Sequence, residues 1–247
     1  MISRRRALGL VGLGLGGLAA ACNEGAVARA ATGSCLATPT EIRGPFPADG
    51  TNGGRQTISV FGQDGLVRRD IRPSFAGMNG IADGIPLELE LRVVGADDCA
   101  LRAGAAIYLW QCDALGEYSL YTVEGENYLR GVQVADADGM VRFTSIVPGC
   151  YGGRAPHFHF EVFESLAAAT HGHNSLLVSQ AAFPTAELQR AYTDPRYGDS
   201  LDNLRRWPVE RDWMFAGDSE RETAWQTVGL SGNPASGYKA ELSIGLG

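Results

Sequence analysis

Residues 87–94 read LELELRVV, leucine and valine alternating against glutamate and arginine. Side chains two apart on an extended chain share a face, so this period predicts a strand with one apolar and one charged side. Residues 105–112 (AAIYLWQC), 141–146 (VRFTSI) and 157–163 (HFHFEVF) predict further strands. Asp136-Ala137-Asp138-Gly139 lies between Val132-Gln133-Val134 and Val141, and predicts a hairpin turn with Gly139 left-handed. A calcium loop is excluded there, because its acidic spacing and terminal Glu are missing. Helical patterns are confined to residues 185–192 and 220–225, both short. Residues 31–85 have little period and much Gly, Pro and Asp, which predicts an irregular arm. The pattern as a whole predicts an all-β fold: a β-sandwich over residues 86–247 with long loops and few short helices.

The first 30 residues stand outside that pattern. Ser3-Arg4-Arg5 and Arg6 precede an uncharged run of Leu, Gly and Ala over residues 7–21. The run is shorter than the roughly 20 residues a spanning helix needs, and resembles a twin-arginine export signal. Ala28-Arg29-Ala30 offers a small-x-small cleavage site that releases a soluble protein, periplasmic or secreted. Ala19-Ala20-Ala21-Cys22 offers a competing lipoprotein box, which would anchor the chain at a membrane through Cys22. Soluble release is the expectation. Losing residues 1–30 removes four Arg and one Glu, taking the formal charge from −7 to −10. No basic stripe remains, so a nucleic-acid partner is not expected. Export places Cys35, Cys99, Cys112 and Cys150 in an oxidising compartment, where three pairings are open and the sequence chooses none.

The chemistry is concentrated in one strand. His157 and His159 alternate with Phe158, Phe160 and Val162, which sets both imidazoles on one face. Neutral imidazole is a common ligand for iron, copper, zinc and nickel, so a metal site is the leading reading. The plainer one is a pair of hydrogen-bonded core histidines. His171 and His173 fall in a His-Gly-His-Asn loop, a poor platform for a metal. Tyr118 and Tyr151 stand nearer, each just past the end of a predicted strand. A phenol titrates near pH 10, so ligation through it calls for a strongly acidic cation such as Fe(III).

WQCDALGEYS (110–119), RGVQVADADGMVRFTSIVPGCYGGRAPHFHFEVF (130–163) and LLVSQAAF (176–183) together resemble the intradiol ring-cleavage dioxygenases of the catechol and protocatechuate type, in their exported bacterial branch. Gly44-Pro45-Phe46 and Arg69-Asp70-Ile71-Arg72 are shorter matches, and the likeness covers roughly residues 35–215. The resemblance implies one Fe(III) per chain held by Tyr118, Tyr151, His157 and His159. It also implies Arg154 beside the substrate, where it steadies negative charge on the ring, with Gln180 supporting the site. Tyr151 becomes the ligand that a substrate displaces, and Tyr118 the one that stays. The implied substrates are a catechol-type ring and O2, the product a cis,cis-muconate-type diacid, and a homo-oligomer is compatible with the likeness. Three positions depart from the usual pattern: Cys150 before Tyr151, Phe46-Pro47 in place of two aromatics, and Tyr128 before Leu129-Arg130-Gly131.

Two other readings stay open at this level. His157-x-His159 with Glu164 approximates the first motif of a cupin-like metalloenzyme, although no second motif follows His173. A non-enzymatic β-sandwich that binds aromatic ligands or proteins would leave the histidines structural.

Overall fold

The charged alternation at the start of the sandwich becomes β1, Pro86–Gly95, in which Leu87, Leu89, Leu91 and Val93 are fully buried and the residues between them face outward. In this computed structural model residues 35–51, 58–172 and 174–247 are described; the export segment, its cleavage sequences and His173 lie outside them. Seven more strands follow: β2 (Ala106–Trp110), β3 (Arg130–Val134), β4 (Met140–Ile146), β5 (His157–Phe163), β6 (Leu177–Ala182), β7 (Gly229–Asn233) and β8 (Gly237–Leu246). They form two open four-stranded sheets, ordered β4-β1-β8-β7 and β3-β2-β5-β6. The pairing is antiparallel except between β1 and β8, which run parallel over nine residue pairs.

The two sheets bury their facing sides in one apolar core. Leu87, Leu89, Leu91, Val141, Phe143 and Ile244 meet Ile107, Leu109, Phe158, Phe160 and Val162 there. The second sheet is buried on its other face as well. That face carries Ala106, Tyr108, Trp110, Val132 and Phe163, and it is covered by Ala48, Val60, Leu66 and Phe75 of the arm together with Ala169. A strand hydrophobic on both sides follows, and β2 has no exposed residue.

The described part of residues 35–85 contains no strand or helix, only isolated bridges. Two of these tie the arm to both sheets: Val67 bridges Val132 of β3, and Asp70 bridges Thr144 of β4. The helices are α1 (Leu166–His171), α2 (Thr185–Ala191), α3 (Ser200–Arg206) and α4 (Glu220–Gln226). The hydrophobic pattern predicts α2 and α4 and misses α1 and α3.

The expected hairpin at residues 136–139 is a correction. β3 and β4 belong to different sheets, so the turn carries the chain across the sandwich. Its local chemistry is as expected: Gly139 is left-handed at φ 69°, and the Asp136 carboxylate accepts from the Asp138 and Met140 amides. Turn chemistry fixes the reversal of direction, while the partner strand is chosen by β1, which pairs with β4 along seven residues. Of the three cysteine pairings left open, the fold makes Cys35–Cys99 and leaves Cys112 and Cys150 as buried thiols.

A candidate metal centre on the outer face of a sheet

The alternation of β5 puts Phe158, Phe160 and Val162 into the sandwich core and His157, His159 and Glu161 on the face beneath the arm. Both imidazoles are almost fully buried. Trp110, directly across in register on β2, stacks flat on His159 with ring centroids 4.9 Å apart and 6° between planes. The His157 Nδ1 lies 2.7 Å from the Ala155 carbonyl. That carbonyl requires a proton on Nδ1, which leaves the Nε2 lone pair free to face a ligand.

Two loops bring the phenols to the same point. The loop from β2 to β3 carries Tyr118, whose amide donates to Thr122 Oγ1 at 2.8 Å. Arg130, wholly buried at the start of β3, fastens this loop to the arm. It donates to the side chain and carbonyl of Ser119, to the carbonyls of Phe46 and Pro47, and to the Tyr108 hydroxyl. The loop from β4 to β5 carries Tyr151. α3 holds it through Ser200 Oγ, which accepts from the Cys150 amide, and Asn203, which donates to the Cys150 carbonyl. The two loops pack on each other at Gly116, where a Cβ would stand 2.9 Å from that of Tyr151.

The result is a tight cluster of four donor atoms. The Tyr118 hydroxyl lies 3.4 Å from that of Tyr151, 3.5 Å from His157 Nε2 and 3.2 Å from His159 Nε2. His157 Nε2 lies 3.2 Å from the Tyr151 hydroxyl and 3.1 Å from His159 Nε2. Atoms spaced in this way can share one cation at about 2 Å, the bond length of first-row metals to nitrogen and oxygen. Among the described residues no three His, Cys, Asp or Glu side chains converge in this way; the phenols complete the set. The electrostatics suit a cation. Burial and the nearby Arg154 guanidinium hold His157 at about 3, and burial with His157 alongside holds His159 well below its usual range. Both imidazoles are therefore neutral, the form that ligates. Burial pushes Tyr151 up to about 12 and Tyr118 well above its usual value. Loss of the phenol protons thus calls for a bound positive charge, and the donor set fits Fe(III).

The arm roofs this cluster. Phe46 packs on Tyr118 with centroids 4.8 Å apart, and a Cβ on Gly44 would come within 3.1 Å of the His159 ring. Gly44 sits at φ +71°, a conformation that glycine adopts without strain. Arg154 stands at the edge of the cluster, its Nη1 3.5 Å from His157 Nε2. Its Nη2 donates to Gln180 Oε1 at 2.7 Å, and Gln180 in turn donates to the Ile42 carbonyl at 2.9 Å. All six predicted site residues therefore meet in one place. His171 does not join them: it ends α1, is exposed, and its Nδ1 bonds the Ala167 carbonyl of its own helix.

Sequence reasoning misses Asp212, Trp213 and Asp113. Asp212 is fully buried and accepts from Arg154 Nε at 3.0 Å, and the Trp213 ring covers the same guanidinium at 5.4 Å. Asp113 accepts from the Leu115 and Glu117 amides and from the Tyr128 hydroxyl, knotting the loop that leads to Tyr118. That bond gives the unusual Tyr128 its purpose. None of the three has a period or spacing that marks it.

Known proteins bear on this geometry in two ways. Residues 69–188 match the family described as Dioxygenase, and that span holds every ligating candidate as well as Arg154 and Gln180. No curated protein matches the sequence. Among solved structures the chain is similar to an intradiol ring-cleavage dioxygenase from Tetranychus urticae, at 22% identity and a TM-score of 0.64 over 86% of this chain and 95% of that one. It is also similar to the dioxygenase domain of a dioxygenase–carbohydrate-binding fusion from Streptomyces sp. SirexAA-E, at 23% identity and a TM-score of 0.52, covering 85% and 97%. A catechol 1,2-dioxygenase from Pseudomonas arvilla C-1 matches at 20% identity and a TM-score of 0.51, with 85% of this chain and 62% of that longer one covered. At these identities the structures establish the fold, and the family match rests on the segment that builds the site. Residues 69–188 are similar to the dioxygenase family, and the chain has the fold of the intradiol ring-cleavage dioxygenases among solved structures.

Proposed function

We propose that this protein is a non-haem Fe(III) dioxygenase that opens a catechol-type ring between its two hydroxylated carbons with O2, giving a cis,cis-muconate-type diacid. The observation that carries the proposal is the convergence of two phenol oxygens and two imidazole Nε2 atoms, five of whose separations lie between 3.1 and 3.5 Å. Tyr118, Tyr151, His157 and His159 would hold one ferric ion, whose chemistry is to make a bound catechol reactive towards O2. The chain supplies the rest. Tyr118 is fully buried under Phe46, which suits a fixed ligand. Tyr151 is partly exposed on its loop, which suits the one that gives way to substrate and takes up a substrate proton. Arg154 places a guanidinium N–H beside His157, where it can steady negative charge developing on the ring. Trp110 and the arm exclude water from the far side of the ligands.

The proposal includes export by the twin-arginine route to the periplasm or medium. The Cys35–Cys99 disulfide supports this, since such bonds persist in oxidising compartments.

A visible absorption spectrum of the purified protein tests the reading first. Tyrosinate bound to Fe(III) gives a red-brown charge-transfer band. The expected result is a coloured protein whose band shifts when catechol is added under nitrogen and recovers once air has consumed the substrate. A protein that stays colourless after reconstitution with iron would overturn the ligand set.

A further inference from the structure

The guanidinium at the edge of the donor cluster is not a free positive charge. Arg154 Nε lies 3.1 Å and 3.0 Å from the two carboxylate oxygens of Asp212, whose side chain has no exposure. Asp212 is itself locked, accepting from the Ala155 amide at 2.6 Å and the Met214 amide at 2.8 Å. Nη2 of Arg154 is taken by Gln180, and the guanidinium plane lies under Trp213, which is 59% exposed. Only Nη1 is left towards the donor cluster. Further charges felt in this neighbourhood are acidic: Glu41 interacts with Arg154, Asp212 and Asp218. The segment 212–213 thus fixes where the guanidinium points and engages its charge through Nε, leaving the Nη1 N–H directed at the donor cluster.

We propose that Asp212 is the positioning residue of Arg154 and sets the substrate class of the site, restricting it to catechols with no anionic group on the ring. This rests on the dioxygenase reading above. A ring carboxylate brought to this edge of the site meets a guanidinium already ion-paired with a buried carboxylate, so it loses its water for a weakened ion pair and faces the Asp212 charge. An uncharged ring suffers no such loss and keeps the stacking surface of Trp213. Asp212, whose side chain has no exposure, does its work through Arg154.

The test compares two ligands of nearly the same shape, 4-methylcatechol and 3,4-dihydroxybenzoate. Their dissociation constants for the iron-loaded protein are measured by calorimetry under nitrogen, so no turnover is required. The wild-type protein is expected to bind 4-methylcatechol at least about tenfold more tightly than the acid. Asp212→Asn is expected to narrow that ratio by about tenfold, chiefly through tighter binding of the acid. Tighter binding of the acid by the wild type, or a ratio unmoved by Asp212→Asn, overturns the proposal. Asp212→Asn also disturbs two backbone bonds and can fold poorly, so Arg154→Gln serves as a second variant. It leaves the Asp212 charge uncompensated and is expected to widen the ratio; an unchanged ratio again overturns the proposal. A change in fold stability alone moves both ligands together and leaves the ratio where it was. The two readings fail differently. Diol binding without O2 uptake removes the reaction but not the role of Asp212, uptake with an unmoved ratio removes only that role, and no binding of either diol removes both.

Discussion

Tyr118 has the most constrained surroundings of the four donors. Phe46 lies on its ring, its amide is held by Thr122, and its hydroxyl is within 3.5 Å of the other three donor atoms. Tyr118→Phe is therefore expected to lose the charge-transfer colour and most of the bound iron, measured by absorption and metal analysis. Full retained colour would remove Tyr118 from the ligand set. Gly116 supports Tyr151 in a different way. It sits at φ +82°, and a Cβ there would meet Tyr151 Cβ at 2.9 Å. Gly116→Ala combines a left-handed penalty of about 1–2 kcal/mol with displacement of Tyr151. The expected outcome is a lower melting temperature and iron affinity reduced about tenfold or more. Cys150 changes the neighbourhood less than its place beside Tyr151 suggests. Its thiol is buried, turned towards the Arg154 carbonyl, and pushed up to about 12 by burial, so it stays a neutral packing group.

Among the elements, β5 illustrates how little is needed to prepare a site. One period-two strand supplies two of the four candidate donors because its core-facing phenylalanines are fixed by packing. The segment behind Tyr151 shows a less visible kind of support. The 3-10 turn Pro195–Tyr197 sends the Tyr197 hydroxyl to the Val147 carbonyl and Tyr192 reaches the Pro148 carbonyl, so this short helical region buttresses the loop that carries Tyr151. Asp194 caps that turn, accepting from the Arg196 amide at 3.0 Å and pairing with its guanidinium at 2.7 Å. The guanidinium and amide bonds hold the Asp194 carboxyl at about 2. A depressed carboxyl contributes stability above its unfolded pKa and loses it as pH falls through the folded value. Asp194→Ala is thus expected to cost about 1 kcal/mol near neutrality. The gap to wild type should close as pH falls from about 4 to about 2, as read from urea denaturation at several pH values. A gap that persists at the lowest pH would assign the effect to packing.

For the whole domain, stability depends on contacts made far apart in the chain. β8 inserts between β1 and β7, so the last strand completes the sheet that the first one begins. Cys35 and Cys99 close a loop with a sequence separation of 64, tying the arm to the turn after β1. Cross-links of this span constrain the unfolded chain by about 4 kcal/mol in the chain-entropy account, with measured effects of 2–4 kcal/mol typical. Replacing both cysteines by serine is expected to lower unfolding stability by about 2–4 kcal/mol in denaturant titration. The iron colour should persist, because neither cysteine belongs to the site. Loss of colour in a folded variant would instead show that the arm needs the bond to roof the ligands.

The sequence by itself determined those features that depend on near neighbours. The alternation of β1 and β5 is a local property of extended backbone, so the strands and the common face of His157 and His159 are legible within stretches of 10 and 7 residues. The four donors and Arg154 were legible through an ordered series of short motifs, each carrying its own residues. Tertiary structure alone decided which strands share a sheet, and so turned an expected hairpin into a crossover. It alone chose Cys35–Cys99 among three pairings. It also brought Asp212 to Arg154 across 58 positions of chain. A buried carboxylate has no pattern along the sequence to announce its partner; only the closing of the fold removes the water that would otherwise satisfy it, and leaves the guanidinium as its counter-charge.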